Sequence, residues 1–110
     1  MPSSRPMVPR VLILEPHPDL RMEIAATLRR EHYACDVVAT AADAALQLDQ
    51  RTYAWVVVDL DTLDSSRLVA GIDPVSHVVL LTADDDPNES GHTALRKPFG
   101  RDELIARLTN

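Results

Sequence analysis

The chain has 110 residues, the length of one domain, with 45% apolar and 25% charged residues, an ordinary globular balance. Its net charge of −6 argues against non-specific binding to nucleic acid or to an anionic membrane, since both need a basic face. One cysteine, Cys35, excludes an internal disulfide and suits a reducing compartment.

Residues 1–9 hold three prolines, two serines and one arginine without an apolar stretch. They read as a loose tail rather than a signal peptide, which leaves 10–110 as the domain and the cytoplasm as the expected location. Val11–Leu14 is a continuous apolar run, as strands are when both faces of a parallel sheet are covered. From Asp19 to Arg30, Leu20, Ile24 and Leu28 recur at spacing four and predict a helix. Cys35–Ala39 is a weaker strand, with Cys35 a small core side chain. Thr40 followed by Asp43 resembles a capping box opening a helix through Ala44, Ala45, Leu46 and Leu48.

Val56–Val58 repeats the buried-strand pattern, with Tyr53 and Trp55 before it to cover the lower edge of the sheet. Ser65 or Ser66 is placed to cap a short helix ending near Gly71, where glycine permits a positive φ. Val78–Leu81 is the next buried strand. Residues 83–92 contain Asp84–Asp86, Pro87 and Gly91 and no apolar stripe. They predict a loop, with Ca²⁺ binding a remote option. Ala94–Arg96 is a last short strand, and Gly100–Leu108 a last helix with Asp102 and Glu103 in its first turn. No apolar run is long enough to span a bilayer.

Strict alternation of strands and helices predicts an α/β domain: a doubly wound, five-stranded parallel sheet with right-handed crossovers. The helix before the last strand, fourth in such a series, is expected to be shortened or missing. Ligands of such sheets bind beyond the carboxyl ends of the strands. Those ends read Glu15, Asp59, Thr82 and Lys97. Two carboxylates, a hydroxyl and an ammonium suit a phosphoryl group: a carboxylate can attack phosphorus, and Lys and Thr can hold the phosphoryl oxygens.

The segments Val11–Arg21, Val56–Leu60, Val79–Ala83 and Lys97-Pro98-Phe99 resemble the receiver domain of bacterial response regulators, over about residues 10–109. The resemblance implies a flavodoxin-like fold, Asp59 as phosphoacceptor, Thr82 and Lys97 as phosphate contacts, a candidate cis bond at Lys97–Pro98 and Mg²⁺ as cofactor. It also implies protein partners: a histidine kinase or phosphotransferase, or an effector. Glu15, Asp59 and Asp61 are the candidate metal ligands. The chain departs from that family in three places. Pro16 stands where a second acid usually ligates Mg²⁺, so binding should be weak or absent, and His17 is a poor substitute. Ala94 replaces the aromatic switch, and the helix before the last strand is not predicted.

Two rival readings remain open. A pseudo-receiver would keep the fold and act by protein contact without phosphorylation. A haloacid-dehalogenase-like phosphatase would use Asp59 and Asp61 as nucleophile and acid/base. Thr62, however, stands one residue too early for that motif, and the 48 residues after it are too few for that core. A signalling module without a substrate of its own is therefore expected. His17, His32, His77 and His92 lack metal-ligand spacing, and no glycine-rich phosphate loop follows the first strand. No output domain follows Leu108, so direct DNA binding is not expected. If the helix before the last strand is lost, Val78/Leu80 or Val79/Leu81 should be poorly covered, which predicts a partner or a second copy on that face.

Overall fold

The apolar runs of the sequence form one parallel sheet. The structure, a computed structural model, describes residues 8–74, 76–83 and 92–109. Its strands are β1 (Arg10–Leu14), β2 (Ala34–Val38), β3 (Trp55–Asp59), β4 (His77–Thr82) and β5 (Thr93–Arg96), in the order β2-β1-β3-β4-β5. Every neighbouring pair is parallel. Four helices lie among the described residues: α1 (Pro18–Arg30), α2 (Ala41–Gln50), α3 (Ser65–Ala70) and α4 (Arg101–Thr109). Residues 84–91, where a loop was expected in place of a helix and where Asp84–Asp86 fall, lie outside the described residues.

Alternation along the strands sorts the core into two layers. Val11, Ile13, Val57, Val79 and Leu81 pack with Ile24, Ala25 and Leu28 of α1 and with Leu104 and Leu108 of α4. Leu12, Leu14, Val56, Val58, Val78 and Leu80 pack on the other face with Ala44 and Leu48 of α2 and with Leu68 and Val69 of α3. Each fully buried Val, Leu or Ile among them contributes about 2 kcal/mol by leaving water. Cys35 is buried, and burial pushes its thiol pKa up. Tyr53 is buried and Trp55 half-buried against His77, with ring centroids 4.8 Å apart.

The poorly covered patch is not found. Val78 is 6% exposed and Leu80 2%. Val69, Ile72 and Ala94 pack against that layer, so the short α3 and the turn after it supply cover that the helix count did not anticipate.

Helix ends follow local chemistry, with two corrections. Thr40 caps α2 as expected, its hydroxyl accepting the Asp43 N–H at 3.2 Å. The cap of α3 is Asp64 rather than a serine; Ser65 lies inside the helix and its hydroxyl donates to the Leu60 carbonyl at 2.9 Å. Gly71, at φ −95°, ends α3 without using glycine's positive-φ freedom. After α1 a Schellman turn forms through His32 at φ 69°, with Tyr33 N–H on the Leu28 carbonyl and His32 N–H on that of Arg29.

Candidate functional site

Because all five strands run the same way, their carboxyl ends share one edge of the sheet. The strand order reverses beside β1 and β3, where open α/β sheets form their binding crevice. Glu15 follows β1, Asp59 ends β3, Thr82 ends β4 and Lys97 follows β5. The four candidates thus come to one place, and three are essentially dry: Glu15 is 0% exposed, Asp59 1% and Thr82 1%.

Lys97 ties the site together. Its Nζ lies 2.6 Å from Glu15 Oε1 and 3.1 Å from Asp59 Oδ1. Desolvation lowers the lysine pKa, but hydrogen bonds and charge from Glu15 and Asp59 outweigh it, so the net shift is upward and the ammonium is held charged. The Lys97 N–H donates to the Thr82 carbonyl at 2.7 Å, which anchors its backbone to the end of β4. The Lys97–Pro98 bond is cis, as the resemblance implied.

Further side chains complete the site. Glu15 Oε2 accepts the His17 N–H at 3.1 Å and lies 3.0 Å from His17 Nδ1; Arg21 donates to the Glu15 carbonyl at 3.0 Å. Asp59 Oδ1 accepts the Asp61 N–H at 3.3 Å, and Asp59 Oδ2 accepts the Thr62 hydroxyl at 2.8 Å. Thr62, His17 and Arg21 were not assigned to the site from the sequence. The spacing Asp59-x-Asp61-Thr62 does carry a signal for one of them, since an aspartate commonly accepts N–H or O–H groups two or three residues on.

The donors at the site that could hold Mg²⁺ are the carboxylates of Glu15 and Asp59; their oxygens also accept hydrogen bonds or face the ammonium, and Pro16 has no side-chain oxygen. Asp61 is exposed and gives its N–H to Asp59 Oδ1. Among the described residues no group of three or more His, Cys, Asp or Glu is placed to hold a metal ion. No described helix is long and apolar enough to cross a membrane.

No family model matches the sequence, and none of the curated proteins does. Solved structures do match, several of them over nearly the whole of both chains. A response regulator receiver domain (CheY-like) from Methylobacillus flagellatus is 20% identical, with a TM-score of 0.79 over 94% of this chain and 98% of that one. The signal receiver domain of an HD domain-containing protein from Pseudomonas fluorescens Pf-5 is 22% identical, with a TM-score of 0.84 over 94% and 93%. A sensor protein from Polaromonas sp. JS666 is 27% identical, with a TM-score of 0.79 over 92% and 93%. The chain therefore has the flavodoxin-like receiver fold.

Proposed function

We propose that this chain is a receiver module of two-component signalling, in which Asp59 accepts a phosphoryl group from a histidine kinase or phosphotransferase in the cytoplasm. The observation that carries the reading is the pair of buried carboxylates, Glu15 and Asp59, bridged by the half-buried Lys97, whose Nζ lies 2.6 Å and 3.1 Å from them. An Asp59 oxygen would attack phosphorus, the bond between phosphorus and the donor atom would break, and the donor would keep the electron pair. The product is an acyl phosphate. Lys97 would neutralise its charge, and Thr82, buried at the end of the next strand, supplies a hydroxyl for its oxygens. Exclusion of water would slow hydrolysis of the mixed anhydride. No step is assigned to Mg²⁺.

One observation favours a second reading. Each carboxylate oxygen of the site is already satisfied within the protein, so the same geometry can persist as a closed polar lock in a phosphorylation-independent docking module. The phosphatase reading draws no such support: it needs the Asp61 carboxyl beside Asp59, and Asp61 is exposed and gives Asp59 its amide. Incubation with acetyl phosphate followed by intact-mass measurement separates the readings. Uptake of one phosphoryl group, lost in Asp59→Asn, supports the acceptor; a folded protein that takes up none supports the docking module.

A further inference from the structure

The two oxygens of Asp59 are held differently. Oδ1 faces the Lys97 ammonium at 3.1 Å and accepts the Asp61 N–H at 3.3 Å. That ammonium also neutralises Glu15, which is fully buried, so turning it away would strand a charge in a dry site. Oδ2 accepts the neutral Thr62 hydroxyl at 2.8 Å. Thr62 is half-buried and its hydroxyl is neutral, so breaking that bond strands no charge. Of the two oxygens, Oδ2 is therefore the one whose lone pair can be released toward an incoming phosphorus.

The turn that carries Thr62 is tightly determined. Thr62 N–H donates to the Asp59 carbonyl at 3.2 Å, Ser65 N–H to the Thr62 carbonyl at 3.1 Å, and the Ser65 hydroxyl to the Leu60 carbonyl. Asp64 sits at φ 65°, a left-handed conformation that costs a non-glycine residue energy and persists where surrounding bonds impose it. A β-branched threonine on such a turn has few rotamers, and this one points its hydroxyl at the carboxylate.

We infer that Thr62 is a latch on Asp59: its hydroxyl holds the oxygen that attacks phosphorus, and its release limits phosphoryl uptake. This rests on the acceptor reading above. During transfer Oδ2 forms the new O–P bond, the donor leaves with the electrons of the broken bond, and the Thr62 hydroxyl keeps its proton and turns its hydrogen bond elsewhere. Thr62 is thus a positioning residue, acting through Asp59.

The test compares wild type with Thr62→Val, which keeps the shape and removes the hydroxyl, and with Thr62→Ser, which restores it. Acyl-phosphate formation is followed by intact mass over a series of acetyl phosphate concentrations. Loss of one hydrogen bond to a charged group predicts uptake about tenfold faster in Thr62→Val, with half-saturation by acetyl phosphate unchanged. Thr62→Ser should return the rate to the wild-type range. Uptake in Thr62→Val equal to or slower than wild type overturns the latch. If no variant takes up a phosphoryl group, the acceptor reading fails and the latch falls with it. NMR of the unmodified protein checks the bond separately: a freely exchanging Thr62 hydroxyl proton, or one unchanged in Asp59→Ala, overturns the latch even where uptake occurs.

Discussion

Replacing Lys97 by Met keeps the length of the side chain and removes the ammonium. In the wild type that ammonium lies 2.6 Å from Glu15 and 3.1 Å from Asp59, which are 0% and 1% exposed. Without it, two carboxylates share a dry site with no cation between them. Breaking a buried ion pair by removing one partner costs about 3–5 kcal/mol. A domain of this size is stable by about 5–15 kcal/mol, so the variant should fold but be severely weakened. Urea unfolding followed by the single tryptophan, Trp55, measures this. At a slope of about 2 kcal/mol per molar urea, the midpoint should fall by about 2 M with the slope unchanged. The pH dependence follows from the raised lysine pKa. A cation whose folded pKa is raised contributes fully below its ordinary value of 10.5 and loses that contribution as pH rises through the folded value. The lysine's contribution to the deficit of Lys97→Met should therefore shrink only above about pH 10. In a Glu15→Gln background the same substitution should cost less, because one of its carboxylates is gone. A loss below about 1 kcal/mol would refute the view that Lys97 closes this site.

Three other changes test separate parts of the structure. Pro16→Asp restores a carboxylate beside Glu15 and should strengthen Mg²⁺ binding in calorimetric titration; equal affinity in the two proteins would show that Glu15 and Asp59 suffice. His32→Gly relieves a non-glycine residue at φ 69° and should stabilise the fold by about 0.5–1 kcal/mol in thermal unfolding; a neutral or destabilising result would mean that the imidazole makes up the difference. Tyr53→Phe removes a hydroxyl that donates to Asp36 at 2.7 Å and should cost about 1–2 kcal/mol at neutral pH. Burial, then the bond to Asp36, raises the Tyr53 pKa from its ordinary 10.0, so the wild-type advantage should be full below pH 10 and fade above it; an advantage that persists undiminished would contradict that cause.

The strands were legible because a doubly covered parallel strand leaves an unbroken β-branched run, as at Val56–Val58 and Val78–Leu81. The site was legible for the same reason: parallel strands put their carboxyl ends together, so Glu15, Asp59, Thr82 and Lys97 could be grouped without knowing a distance. The coverage of Val78 and Leu80 was not legible, because it depends on how α3 and Ile72 settle on the sheet rather than on how many helices the chain encodes. Nor was the cap of α3: Asp64 takes a left-handed φ imposed by the turn that Thr62 and Ser65 make, and no composition rule points to that. From sequence alone Thr62 reads only as misplaced in a phosphatase motif. Its role follows from a 2.8 Å contact that the sequence suggests by spacing alone.

Asp59 is proposed as a phosphoacceptor held ready by Lys97. The most direct test is to incubate the wild type and Asp59→Asn with acetyl phosphate and measure intact mass, followed by peptide mapping. One phosphoryl group on Asp59, absent from a folded Asp59→Asn protein, is the predicted result. A folded wild type that takes up no phosphoryl group, or one that carries it on His17 or His92, would contradict the claim.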